Sequence, residues 1–321
     1  MAALLALGLL AAFALILKLY LYFTAGRYLV KKSLKGKHIL ITGGTAGIGK
    51  ETVRILANHG ATVHVLARDV QKAARMIEEI KSTLGADIEV HSHELDLNNL
   101  QSVRRFAETF LPRRFPIHVL INNAGLANAT RKVTADGNEE TFQANHLGHF
   151  LLTNLLLDRI IESGPGSRII NVSSHAHRHA NHIDISDLNF EHRPVKLANL
   201  VPYFESKLEN ILFTRELSRR LYGKGVTVNA LHPGVVRTDL LRDFPWYSPL
   251  TVVMQMIMLL AKTPLEGAQT TIFLAVADEV ANVSGHYFMD CKPAATNLLA
   301  LDDQVAVDLW NESARLANLK F

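Results

Sequence analysis

Apolar positions along this chain follow two alternating rhythms. Short continuous runs, bounded by polar or glycine positions, lie at 39–42, 62–66, 88–91, 119–122, 167–172, 227–231 and 285–289. Such runs predict buried strands. Between them, at 47–58, 71–84, 100–110, 137–161, 202–221 and 265–276, apolar residues recur every third or fourth position, which predicts helices. Strand and helix alternating at this spacing predict an α/β fold: a doubly wound parallel sheet of about seven strands with helices on both faces. No repeat, low-complexity tract or Gly/Ser linker divides the chain, so 37–321 reads as one domain.

The N-terminus breaks the pattern. Residues 2–17 are uninterruptedly apolar, and after Lys18 the run resumes through Phe23. That is about the twenty residues needed to cross a bilayer. No charged residue precedes the run, whereas Arg27, Lys31, Lys32, Lys35 and Lys37 follow it. This order favours a retained anchor (1–26) and a basic juxtamembrane linker (27–36), with the domain on the cytosolic side. A cleaved signal and a monotopic hairpin are the alternatives. The 321 residues, 48% of them hydrophobic, suffice for a full core. Cys291 is the single cysteine, which excludes an intrachain disulfide and a cysteine metal cluster. The net charge of +4 is modest, and neither motif nor patch points to nucleic acid.

Candidate chemistry begins at Thr42-Gly43-Gly44-Thr45-Ala46-Gly47-Ile48-Gly49, between the first strand and the first helix. Gly43 permits a sharp turn, Gly47 lets backbone approach a pyrophosphate, and Gly49 lets helix and strand pack closely. The helix N-terminus supplies unpaired N–H groups for the phosphates. At the end of the second strand stand Ala67, Arg68 and Asp69. A small residue followed by a guanidinium suits the 2′-phosphate of NADP(H). With the register displaced by two, Asp69 would instead take the ribose hydroxyl of NAD. A third reading makes Arg68 and Asp69 solvated residues that begin the next helix.

Three further motifs lie where open parallel sheets place ligands. Asn122-Asn123-Ala124-Gly125 ends the fourth strand, and Ser173-Ser174 ends the fifth. Tyr203-Phe204-Glu205-Ser206-Lys207 sets a phenol and an ammonium on one helix face. An ammonium beside the phenol lowers its pKa from about 10 toward neutrality. Asn145, in a long helical stretch, reads either as a satisfied core asparagine or as a site residue.

The order Thr-Gly-x-x-x-Gly-Ile-Gly, Asn-Asn-Ala-Gly, Asn, Ser-Ser, Tyr-x-x-x-Lys and Pro233-Gly234 resembles the short-chain dehydrogenase/reductase family. Asn145-His146-Leu147-Gly148-His149-Phe150, His232-Pro233-Gly234-Val235-Val236-Arg237-Thr238 and Gly285-His286-Tyr287-Phe288 resemble its membrane-anchored retinol dehydrogenase branch. The resemblance implies an NADPH-linked oxidoreductase of a lipophilic aldehyde or ketone, retinal foremost, on the endoplasmic reticulum membrane. It implies Tyr203 as general acid, Lys207 as its pKa-lowering neighbour and ribose ligand, and Ser174 as the residue that binds and orients the substrate carbonyl. Asn145 would hold a proton-relaying water. Cofactor contacts implied are Gly43, Thr45, Gly47, Ile48, Gly49, Arg68, Asp96, Leu97, Asn123, Ala124, Gly125, Tyr203, Lys207, Pro233, Gly234, Val236 and Thr238. A homodimer through the Tyr203 helix is implied as well.

Two features depart from the family pattern. Gly44 stands where NADP-preferring members often carry a polar or basic residue, and the loop 174–201 is longer than in the retinal reductases. A sterol, steroid or polyprenal is therefore the alternative substrate, and a non-catalytic NADP-binding membrane scaffold the alternative class. The substrate loops are 174–201 and 240–262. The histidines between His175 and His192 lack the regular spacing of metal ligands, and no metal is expected. The apolar run 250–261 reads as a lid helix or as a second membrane contact.

Overall fold

The computed structural model describes residues 25–193, 200–236 and 261–320. The anchor residues 1–24, most of the loop 240–262 and Thr238 lie outside the described residues. Among those described, no helix is long and apolar enough to cross a membrane.

One sheet organises the domain. Its strands are β1 (His38–Thr42), β2 (Thr62–Ala67), β3 (Val90–Glu94), β4 (Val119–Asn122), β5 (Ser167–Val172), β6 (Val226–His232), β7 (Tyr287–Met289) and β8 (Lys292–Pro293), in the order 3-2-1-4-5-6-7-8. All neighbours are parallel except β7 and β8. The chain reverses direction across the sheet between β1 and β4, so the crevice outside their carboxyl ends is where a ligand belongs. β1, β2, β4, β5 and β6 are nearly enclosed on both faces, which is why each reads as a continuous apolar run.

Helices α1 (Gly47–Asn58), α2 (Val70–Leu84) and α6 (Pro264–Val276) bury Val53, Ile77 and Ile272 against Ile39, Val63 and Ile121. Helices α3 (Leu100–Phe110), α4 (Gly148–Glu162), α5 (Val201–Arg220) and α7 (Asp303–Leu316) cover the other face with Phe106, Phe150, Leu212 and Trp310 over Leu40, Leu120 and Ile169. Side-chain caps start several of them. Asp69, Asn99 and Asp302 each accept backbone N–H bonds, and Thr263 forms a reciprocal capping box with Glu266.

The structure differs from the sequence expectation in six places. β3 runs two residues later than expected because an edge strand is half exposed, so its His-Ser-His-Glu pattern carries no apolar signal; pairing with β2 from Val63↔Val90 to Ala67↔Glu94 sets it instead. The helix expected from 137 starts at Glu140, since Gly137 is left-handed (φ 86°) and Glu139 caps the first turn. A π-helical turn, Gln143–Leu147, then precedes α4. An eighth strand, β8, follows the left-handed pair Asp290-Cys291.

The other two differences concern the ends of the domain. Residues 27–36 are no free linker: Leu34 is buried, and Tyr28 and Val30 pack on the α1/α6 layer, with Tyr28 edge-on to Phe273. Helix α7 was not foreseen at all. It packs along α5, with Trp310 against Phe150 and Phe213 and Ser313 bonded to His146. Helix α5 is therefore largely enclosed: of the residues from Glu205 to Leu217 only Arg215 is not buried.

Enclosing α5 has an energetic consequence. Glu209 is buried with Oε2 unpaired, and burial, with Glu205 and Glu139 nearby, holds its carboxyl well above the usual range. A raised folded pKa costs stability as pH rises past the unfolded value of about 4.5. Glu209→Gln is thus expected to stabilise the domain by about 1–3 kcal/mol at pH 8 and hardly at all at pH 5, read as urea midpoints.

Candidate active site

The glycine-rich turn leaves β1 with the backbone that its glycines permit. Gly43 and Gly47 have φ of 65° and 51°, a region that disfavours side chains. A Cβ at Gly49 would lie 2.2 Å from the Gly43 carbonyl oxygen, so only glycine lets α1 start so close to the strand. Thr45 and Ile48 lie on the turn and the first turn of α1, respectively. Asn123 pins the turn from the neighbouring strand end: its Nδ2 donates to the carbonyls of Thr42 and Gly43 at 2.9 and 3.2 Å. Thr42 Oγ1 accepts from the backbone N–H groups of Asn123 and Ala124.

That hydroxyl also joins two motifs. Having accepted twice, Thr42 donates to His149 Nε2 (2.8 Å), and His149 Nδ1–H then donates to the Asn145 carbonyl (3.0 Å). Burial holds His149 neutral, at about 4. Thr42 and His149 thus tie the glycine turn to the π-helical turn bearing Asn145. Their pattern signal was present in the motif strings, but neither carried an expected role.

Asn145 itself is fully buried, and its amide bridges three groups. Oδ1 accepts from Leu126 N at 2.8 Å, while Nδ2 donates to Leu126 O and to Ser206 Oγ, both at 2.9 Å. This is a satisfied core asparagine that also faces the site: a Cβ at Gly125 would meet Lys207 Nζ at 3.1 Å and Asn145 Oδ1 at 3.3 Å. Gly125 keeps open the space flanked by both.

Tyr203, Lys207 and Ser174 come together. Ser174 follows β5, and its side chain stands by the Tyr203 phenol, where it favours the ionised form. Lys207 Nζ sits 5.6 Å from the Tyr203 ring centroid and donates to Val172 O at 3.1 Å. Ser173 Oγ donates to Lys207 O at 2.6 Å, fixing α5 on the end of β5. Asn210 Nδ2 shares the Val172 carbonyl with the lysine. Burial lowers Lys207 to about 8 and raises the Tyr203 phenol above 10. For the Tyr203 phenol, desolvation outweighs the lowering influence of Ser174. The resulting pair at neutral pH is a protonated phenol beside a mostly charged amine.

The remaining predicted contacts ring the same crevice. Asp96 follows β3 and its carboxylate accepts from Asn98 N, while Leu97 is buried beneath Gly148. Pro233 and Gly234 follow β6, with Gly234 at φ 95°. Val236 packs on α6, where a Cβ at Gly267 would meet Val236 at 2.7 Å and Ile48 at 3.1 Å. Ala67 closes β2, and Arg68 is exposed beyond it. Asp69 caps α2, its Oδ1 accepting from Lys72 N at 2.8 Å. Gly44 is buried, and a Cβ there would touch Val65 at 3.0 Å and Val53 at 3.1 Å, which explains why no polar side chain occupies it.

The short chain dehydrogenase family pattern matches residues 37–183. Over 318 residues the chain is 45% identical to human retinol dehydrogenase 13, an overlap spanning 98% of this chain and 94% of the relative. The chain belongs to the short-chain dehydrogenase/reductase family. Human retinol dehydrogenase 12 is 43% identical over 301 residues, with coverage of 94% and 92%. Among solved structures, an uncharacterised Mycobacterium paratuberculosis protein aligns with a TM-score of 0.72 at 34% identity, covering 90% of this chain and 96% of that one. Pseudomonas aeruginosa RhlG in complex with NADP aligns at 0.63 and 25% identity, covering 80% and 95%. As a short-chain dehydrogenase/reductase of the retinol dehydrogenase branch, the protein is an oxidoreductase acting on CH–OH groups, on a fold that binds NAD(P). The turn at Gly43–Gly49 fits that ligand, since it is built to bring bare backbone against it.

Proposed function

We propose that the protein interconverts a lipophilic aldehyde or ketone, retinal foremost, and its alcohol with NADP(H). The observation that carries this reading is the meeting of Ser174, Tyr203 and the buried Lys207 at the sheet end that also bears the glycine turn. When bound, the nicotinamide dinucleotide supplies or accepts the hydride. Ser174 orients the carbonyl oxygen, and Tyr203 donates its proton to it. Lys207 holds positive charge next to the phenolate that results, and the space over Gly125 between Lys207 and Asn145 suits a water that returns the proton. A scaffold without turnover has no chemical reason to keep this set together.

Apolar surroundings support a lipophilic substrate. Ala127, Ala129 and Tyr203 form a small buried cluster with Ala176, Leu200 and Phe204. The human relatives that match most of the chain are named retinol dehydrogenases. The apolar stretch 2–23 supports anchoring in the endoplasmic reticulum membrane, with the domain in the cytosol. Arg68 beside the small Ala67 supports NADP(H), and Asp69 is engaged in its helix cap.

A panel of retinoids, steroids, polyprenals and medium-chain aldehydes, followed by NADPH and NADH consumption, tests the reading. Retinal is expected to give the highest kcat/KM, and a steroid or polyprenal in that place would move the assignment to the alternative substrate. Arg68→Ala is expected to raise KM for NADPH roughly 10- to 100-fold, as loss of a charge-assisted phosphate contact does, with KM for NADH nearly unchanged. Equal effects on both cofactors would reject the role of Arg68.

A further inference from the structure

The strap at residues 25–36 ends at an unusual junction. Gly26 N donates to Asp290 Oδ1 at 3.2 Å, and a Cβ at Gly26 would lie 2.2 Å from the Asp290 carbonyl. The same Asp290 oxygen pairs with Lys262 Nζ. Lys262 in turn bridges to Val236, with its N–H on the Val235 carbonyl. Two residues on from Gly26, Tyr28 N donates to Gln269 Oε1, and Gln269 Nε2 donates to Leu265 O. Asp278 receives Lys32 at the far end of α6. The strap is therefore fastened along α6, and the apolar stretch 2–23 ends at a fixed point beside the loop that follows β6.

Around that point the surface is apolar in the wrong place for water. Leu29 is 80% exposed, Val235 45% and Leu265 42%. Arg27, Lys31 and Lys35 stand exposed on the same strap. Exposed apolar side chains rimmed by basic ones mark an interaction surface, and this combination suits the headgroup–acyl boundary of a bilayer with anionic lipids. A strap docked along its length cannot act as a spacer that holds the domain away from the membrane.

We propose that the surface formed by Leu29, Val235 and Leu265, held together by Asp290, is a docking face for the lipid bilayer. It presses the carboxyl-end mouth of the sheet, at Pro233–Val236, against the membrane. The inference rests on the reading of 2–23 as an anchor. A lipophilic aldehyde then reaches the site from the acyl phase and not through bulk water.

The test uses the full chain in vesicles of phosphatidylcholine and phosphatidylserine, on a Cys291→Ser background. Leu29→Cys, Val235→Cys and Leu265→Cys, each labelled with bimane, are expected to be quenched by nitroxide-bearing lipid. Tyr222→Cys and Phe115→Cys are expected to stay bright, since Tyr222 precedes β6 and Phe115 precedes β4, at the opposite end of the sheet. Leu265→Asp should raise KM for a bilayer-partitioned aldehyde by about 5-fold or more and leave kcat/KM for a short water-soluble aldehyde unchanged, because a charge is expelled from the boundary without touching the site. Dark labels at all five positions, or bright labels at 235 and 265 in a chain that resists carbonate extraction, would overturn the docking face and leave the anchor standing. A chain released by carbonate with bright labels overturns both; released but quenched at the three positions, it keeps the face and loses the anchor.

Discussion

Tyr203→Phe is expected to lower kcat for carbonyl reduction by about 10²–10⁴-fold, the usual worth of a positioned proton donor. The hydroxyl stands by Ser174, and burial keeps it protonated, which is the state a general acid needs. Removing one oxygen leaves the ring in its apolar nest with Ala127 and Ala129, so the fold and cofactor affinity should change little. Single-turnover reduction and cofactor fluorescence titration separate the two. Retained turnover, or a comparable loss of cofactor affinity, would reject Tyr203 as the acid. Lys207→Met should differ, because the ammonium also touches Val172 O and flanks Gly125, and both kcat and cofactor KM should suffer.

Acid should destabilise the protein well before its carboxylates are titrated. Burial lowers His64, His146 and His232 to about 3 and His149 to about 4. In the unfolded chain a histidine titrates near 6.5. The stability that each contributes is complete above pH 6.5 and is lost as pH falls through the window between the unfolded and folded values. At pH 5 that loss is about 2 kcal/mol per fully buried histidine, or roughly 8 for these four. Glu205, raised to about 7, and Glu209, raised by burial, work in the opposite sense and offset part of it. Each histidine's share is sizeable against a typical domain's roughly 5–15 kcal/mol. Urea midpoints at pH 8 and pH 5 measure it. His146→Phe, in the ring cluster of Phe142, Phe150 and Phe213, should remove about 2 kcal/mol of the pH dependence whatever it does at pH 8. An unchanged pH slope would refute the assignment of that histidine.

Much of this was legible from periodicity and spacing, for a physical reason. Strands buried on both faces are apolar throughout, so β1, β4 and β5 could be placed nearly to the residue. The glycine turn declared itself because no other residue tolerates its backbone. What stayed hidden was set by tertiary contact. Helix α7 has a modest apolar face, Ala306, Leu309 and Trp310, that makes sense only against α5. The strap looked like a basic linker because its charges outnumber its three inward side chains, Tyr28, Val30 and Leu34. Spacing also reveals a lysine one helical turn from Tyr203 and not the burial of both groups.

The crowded Gly44 limits how coenzyme choice could be re-engineered. Val65 and Val53 would meet even a Cβ at Gly44 at 3.0 and 3.1 Å, so a longer side chain there requires the packing to move. An arginine introduced at 44 would have to displace α1 from β2, and the pyrophosphate cradle would go with it. Redesign of coenzyme choice is therefore directed to Arg68, which is exposed just beyond the buried end of β2 and can change without unpacking the core.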